Sequence, residues 1–400
     1  MISLILLIFF YCLDFFFRIS PSLILPELQE QFSASVLDMG GIASSFYLGY
    51  IMLQIPSGLL LDRYSYRKII PAAIMICTLS YIGFIFCRQS WQAYNLRWLI
   101  GATSAISFIS VLHYARHNFE PKWFMPITGF TISMGTIAAS LIEILCAYLF
   151  QHYHWQNVFV VFSLWGVLVA IALIFTMTSN PSQAISSNKK ILTQIKISFK
   201  PVFLSFNLII NGIMGGLFYL PTSLIAAMWG IPYMVGSLGL STLSGAIGIT
   251  ILFSGWVIGS LLFGFLQVTF AQCQRFIGLF AIFALIACYY FSNGQLTSQI
   301  SIYLSLFSMG FFSSAQVLIW QVFNLLVLNR HAGLATSYTN MLILLPAAIF
   351  HLVIGAMISI NSSSKIDYQV GIKWLPLIYM TVSILAMFQY RRCSISLKSA

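Results

Sequence analysis

The chain has 400 residues, of which 60% are apolar and only 7% are charged, with a formal charge of +11. A soluble protein of this length could not hide so much apolar surface, so the composition excludes a soluble fold and points to an all-α polytopic membrane protein. A nucleic-acid partner for the excess positive charge is excluded by where the basic residues fall, as follows.

Twelve windows of roughly 20 mostly apolar residues can be placed. They lie near 4–27, 37–61, 69–87, 93–114, 125–150, 156–177, 203–227, 238–266, 276–292, 298–326, 333–359 and 373–390. If the amino terminus is cytoplasmic, that side holds Arg63, Arg67, Lys68, Arg116, Lys122, Lys189, Lys190, Lys196, Lys200, Arg275, Arg330, Arg391, Arg392 and Lys398. The outer loops then hold only Arg88, Lys365 and Lys373. This asymmetry follows the positive-inside rule with both termini in the cytoplasm, and it accounts for the charge without nucleic acid.

The first span has no basic region ahead of it and no small-residue cleavage site, so it is expected to be a retained helix. It carries Asp14 and Arg18, four residues apart, which places them on one face and lets them pair. A rise of about 1.5 Å per residue puts Asp14 roughly mid-membrane and Arg18 one turn nearer the outside. Charges at that depth are costly unless paired or hydrated, which makes both functional candidates. Two readings are open: a structural pair that fixes helix packing, or a substrate site. In the second, Arg18 grips an anionic group through parallel hydrogen bonds and Asp14 sets its orientation.

Between the second and third spans runs Gly58-Leu-Leu-Leu-Asp62-Arg63-Tyr64-Ser65-Tyr66-Arg67-Lys68. A glycine near a helix end lets a neighbouring helix approach closely. The charges after it can pair, or meet a helix end, in one conformation and part in another. The segment resembles the loop motif of secondary transporters of the major facilitator superfamily, with Ser65 where that family usually has Gly. The resemblance implies twelve helices in two six-helix halves related by a parallel repeat, with substrate bound between them at mid-membrane. It also implies a conformational latch at Gly58, Asp62, Arg63, Arg67 and Lys68.

The fourth span opens with Arg97-Trp-Leu-Ile-Gly101, which is similar to an R-x-x-x-G element of the same superfamily. Arg97 lies near the outer end of its span and is read as securing the packing of the first half. His113, Arg116 and His117 cluster at a cytoplasmic helix end and read as a hydrated basic edge. Glu143 in the fifth span is a candidate proton-coupling site, because a buried carboxyl's hold on its proton changes with its surroundings. The bland alternative is a neutral or paired Glu within the bundle.

The polar stretch from Thr178 to Lys200 separates six spans from six, giving an amino-terminal half 1–177, a cytoplasmic linker 178–202 and a carboxy-terminal half 203–400. A shift of 206 residues aligns Gly49-Tyr50 with Gly255-Trp256 and Gly58 with Gly264, and a shift of 208 or 209 sets Gly101 over Gly310. The loop charges have largely gone in the second copy, where Val268 and Thr269 match Asp62 and Arg63.

No Asp, Glu, Lys or Arg occurs between Pro201 and Gln274, or between Phe276 and Asn329. The second half must therefore supply its share of a cavity from neutral groups. Asn207 and Asn211 share a face of the seventh span; Gln316, Trp320 and Asn324 share one on the tenth; Asn340 and His351 are polar points on the eleventh. Such groups either orient a substrate or hold helices together. Trp256 is read as packing or lipid contact. The positions of the seventh span that match Arg18, Leu224 or Phe218, are apolar, which disfavours organophosphate exchange.

The seven cysteines have no C-x-x-C spacing, so neither a disulfide framework nor a metal site is expected. No phosphate-binding loop and no nucleophile–base cluster occurs, so an enzyme, and any cofactor, is not expected. The expected protein is a carrier, functional as a monomer in the lipid bilayer, that moves a small organic anion or zwitterion by alternating access with ion coupling, to protons. Arg18-Ile-Ser-Pro21, the loop motif and Gly333–Asn340 together resemble a group of bacterial carriers, which implies a bacterial inner membrane. A broader resemblance to the lysosomal dipeptide-transporter branch admits small peptides and amino-acid-like solutes as alternatives. A sensor or assembly protein built on a carrier fold is the alternative of a different class.

Overall fold

The computed structural model describes residues 2–120, 123–177, 202–264, 266, 268–293, 298–326, 332–361 and 367–398. The side chains of 62, 63, 124, 125, 324, 332, 333, 361 and 392–398 lie outside that description, as does nearly all of the expected linker 178–202. Every regular element among the described residues is helical.

Twelve helical stretches are long and apolar enough to cross a membrane. The first six are Ile2–Phe32, Val36–Leu61, Tyr66–Phe86, Ser90–Asn118, Pro126–Leu149 and Trp155–Thr176. The second six are Phe206–Gly236, Thr242–Gly264, Phe270–Ser292, Gln299–Phe323, Leu334–Ile360 and Gln369–Arg391. The first and seventh run five and nine residues past their expected ends, because each continues through a break instead of stopping at it.

In the first span the α-helix Ile2–Ile19 passes into a 3-10 turn at Ser20–Ile24 and resumes at Leu25–Phe32. The cause is Pro21, which has no N–H to bond the carbonyl of Phe17. In the seventh span Pro221 lies inside the helix, and a π-turn follows at Ile225–Trp229. The two breaks pack against each other across the halves. Elsewhere the ends are set by local chemistry. Ser35 and Asp38 form a reciprocal capping box at the start of the second span, and Thr269 and Gln272 do the same for the ninth.

Each half repeats one packing scheme. The second span crosses the fourth, as the eighth crosses the tenth. At the first crossing a Cβ on Gly49 would overlap the carbonyl oxygen of Trp98, and one on Gly101 that of Phe46. At the second, Gly255 faces the carbonyl of Phe307 and Gly310 that of Leu252 in the same way. These four glycines are the ones paired by the sequence repeat, and close backbone approach is what requires them. The third span packs on the sixth and the ninth on the twelfth, leaving these helices outermost, where apolar side chains such as Leu164, Trp165 and Phe175 are exposed.

The halves meet along two seams, the second span against the eleventh and the fifth against the eighth. The loop motif marks one end of the molecule, here termed the motif end, and Ser33–Ser35 marks the far end. The second–eleventh seam is tight at both. A Cβ on Gly40 would lie 2.7 Å from the carbonyl oxygen of His351, and one on Gly58 would lie 2.7 Å from Ser337 Oγ.

Candidate functional site

Between the halves lies a void of ≈ 60 Å³ open to the centres of water molecules, room for a few waters. Arg18 lines it. Its Nη2 donates to Asp14 Oδ2 at 2.8 Å within one half, and its Nη1 donates to Tyr219 Oη at 3.0 Å in the other. Ser107 Oγ also donates to Asp14 Oδ2, at 3.1 Å. The guanidinium is ringed by aromatic faces, with Phe15 at 4.8 Å, Phe46 and Tyr50 each at 5.4 Å, and Tyr47 at 6.0 Å to the ring centroids. Such faces stabilise a cation that has left water. Asp14 Oδ1 and Arg18 Nε have no hydrogen-bond partner among the described residues, so the pair holds capacity in reserve.

Arg97 explains how Arg18 is presented. Its Nη1 donates to the Phe17 carbonyl that Pro21 leaves open, and its Nη2 donates to the Arg18 carbonyl at 3.2 Å. Arg97 thus holds the end of the first helix and does not line the cavity, as its place in the span suggested.

The second half brings Gln316, Trp320 and Asn340 to the cavity wall. Gln316 Nε2 is fixed by the carbonyl of Gly215 at 3.0 Å. Asn211 and Asn207 lie outside the lining. Asn211 is buried, and its Nδ2 donates to the carbonyl of Ile319 at 2.9 Å, tying the seventh span to the tenth. The Asn207 backbone carbonyl accepts from Gln389 Nε2 at 3.2 Å, a contact with the twelfth span. The side chain of Asn324 is outside the described residues. His351 is buried at the second–eleventh seam, stacked on Tyr47 with ring centroids 5.1 Å apart.

Trp256 lines the cavity from the eighth span and meets Tyr219 edge-on at 6.1 Å, where the sequence suggested packing or lipid contact. Tyr11, Tyr50, Tyr219, Thr136 and Thr222 also line it and were not singled out from the sequence. The available signal was the tyrosine, an amphipathic side chain placed mid-span with a hydroxyl that needs a partner.

Glu143 is fully buried outside the cavity, and neither carboxyl oxygen has a hydrogen-bond partner among the described residues. It lies two turns beyond Gly135, whose Cβ would press on Tyr11 and Phe15 of the first span. Of the loop motif, Gly58 sits in the seam, Arg67 and Lys68 are exposed, and the side chains of Asp62 and Arg63 are outside the described residues. Ser65 is extended, with φ −62° and ψ 126°, so this turn makes no demand for glycine.

Comparison with known proteins adds to this geometry. The "Uncharacterized transporter YybO" of Bacillus subtilis is 27% identical over 164 residues, a match covering 40% of this chain and only 37% of that relative. The "Probable galactarate/D-glucarate transporter GarP" of Escherichia coli K12 is 24% identical over 395 residues, covering 89% of this chain and 88% of GarP. Among solved structures, a bacterial homologue of the human lysosomal transporter Spinster, inward-facing and occupied, superposes with a TM-score of 0.69 at 15% identity. That match covers 98% of this chain and 96% of the other. A sequence model described as Major Facilitator Superfamily matches residues 4–351. With twelve spans, two repeated halves and a cavity between them lined by Arg18 among aromatic side chains, the chain belongs to the Major Facilitator Superfamily of membrane transporters.

Proposed function

We propose that this transporter carries a small carboxylate-bearing solute, an organic anion, through the cavity at Arg18 by alternating access, driven by protons. The observation that carries this reading is the position of Arg18. It is the cation of the cavity wall, cushioned by four aromatic rings and bonded to both halves. The printed name of GarP, which refers to two sugar acids, supports the same solute class.

Charge balance supports proton coupling. Arg18 and Asp14 are neutral as a pair, so a carboxylate that takes over the guanidinium leaves Asp14 without its counter-charge. A proton entering with the anion restores neutrality. Glu143, buried without a partner among the described residues, is the second carboxyl suited to hold such a proton. The neutral donors and aromatic faces of the other half then orient the rest of the solute, with Gln316 and Asn340 as the polar points. Asn207 and Asn211 are assigned to helix packing. The positive-inside asymmetry supports a cytoplasmic motif end and cytoplasmic termini. With so small a void, the halves must part to admit a solute, and unequal binding to the two open states shifts their balance.

The test is uptake and binding by purified protein in vesicles, using D-glucarate, simple monocarboxylates and a zwitterionic dipeptide as probes. Arg18→Lys keeps the charge and loses the planar fork, so affinity for the carboxylate falls about tenfold. Arg18→Gln loses the charge as well and costs about a hundredfold. Equal affinity across wild type and both variants, at normal yield, would assign Arg18 to structure and sink the anion reading.

A further inference from the structure

A second void, of ≈ 40 Å³ on the same measure, opens at the motif end of the second–eleventh seam. Both halves build it. His113 and Arg116 of the fourth span and Gly58 of the second form one wall, while Thr336 and Ser337 of the eleventh form the other. His113 is held in place through Nδ1, which shares a hydrogen bond with Tyr66 Oη, and its ring lies 4.4 Å from that of His117. Glu120, four residues on from Arg116, lies outside the lining.

Ser337 is 1% exposed, and its buried Oγ has no hydrogen-bond partner among the described residues. A buried hydroxyl left unpaired costs about 1–3 kcal/mol, which is explained if a partner occupies the void during part of the cycle.

A polar trail joins this void to the central one. Tyr50 and Asn340 line the central cavity, and Gly58 and Ser337 line the second. Gln54 stands between them, four residues from Tyr50 and four from Gly58, hence on the same helix face and about 6 Å along the axis from each. It is fully buried, and neither its amide oxygen nor its amide nitrogen has a partner among the described residues.

We propose that the motif-end void is a second anion-binding site, where the carboxylate of the transported solute docks against Arg116, His113 and Ser337 between the central cavity and the motif-end surface. Gln54 offers the amide that hands it from one site to the other. The proposal rests on the organic-anion reading of the central cavity. A bound carboxylate bridges the two halves, so the site also resists opening at that end until the anion leaves.

The experiment places one thiol at the void, Leu59→Cys, and a reference thiol at the far end, Ser241→Cys, each in the full chain. The described native cysteines are buried and stay in place, and Cys393→Ser removes the other one. Each thiol is reacted with an anionic sulfonatoethyl methanethiosulfonate and with its cationic trimethylammonium counterpart. The anionic reagent should be favoured severalfold more at position 59 than at position 241. Arg116→Gln combined with His113→Gln should remove that preference, and D-glucarate should slow labelling at position 59 alone. A charge preference equal at the two positions, or unmoved by the double substitution, would overturn the site. Absence of carboxylate transport alongside an intact anionic preference would overturn the solute reading and leave an anion site standing.

Discussion

Arg97 and Arg18 share a span depth and a charge but have opposite duties, and Pro21 is what separates them. The proline opens the Phe17 carbonyl, and Arg97 closes it, which commits both terminal nitrogens of its guanidinium to backbone. Arg18, one residue past that carbonyl, keeps a side chain directed at Asp14 and the opposite half. Glu143 shows the reverse condition, a carboxyl to which nothing is fixed among the described residues. If it carries the coupling proton, Glu143→Gln should abolish accumulation driven by a pH gradient while sparing solute exchange, since the amide imitates only the protonated state. Uptake against a concentration gradient, driven by an imposed pH step, is the measurement. A variant that still accumulates solute would free Glu143 from that role.

At the scale of helices, the two glycine crossings show how the repeat is built. Four helices approach until backbone touches backbone, and the obstacle to any side chain there is a carbonyl oxygen that cannot rotate away. Gly101→Ala should therefore push the second and fourth spans apart and lower stability by about 1–3 kcal/mol, as overpacking does elsewhere. Gly129→Ala is the control, because its Cβ would meet nothing within 4 Å. Thermal unfolding of the purified variants measures both, and equal midpoints would show that the crossing tolerates a methyl group. In the seventh span the wide turn Ile225–Trp229 precedes Pro232, which has no N–H to bond the carbonyl of Met228, so a proline again marks the break.

At the scale of the molecule, the hydrogen bonds that cross between the halves among the described residues include Arg18–Tyr219, Tyr47–Ser223 and Thr250–Ser140. Tyr47 Oη and Ser223 Oγ share a hydrogen bond of 2.6 Å on the far-end side of Arg18, next to the Tyr47–His351 stack. One buried hydrogen bond is worth about 1 kcal/mol, so Ser223→Ala should raise the far-end-open population by about fivefold. Distances between spin labels on the far ends of the two halves report this directly. An unchanged distribution would mean that the apolar seam alone sets the balance.

The sequence by itself determined the class, the twelve spans, the division into halves and the glycines that repeat, because each rests on local composition or on a motif read along one helix. It also singled out Arg18 and Asp14 as candidates, since a charge in an apolar span stands out wherever it folds. It did not separate Asn211 from Asn340. Both are amides in the middle of apolar helices, and only tertiary packing turned one onto the backbone of the tenth span and the other toward the cavity. Trp256 and Tyr219 were hidden for the same reason, as aromatic residues in a membrane helix can face lipid, core or solute with no difference in local pattern. The structure decided these cases because a cavity wall is assembled from several helices at once, and its members are defined by their neighbours across space and not by their neighbours in the chain.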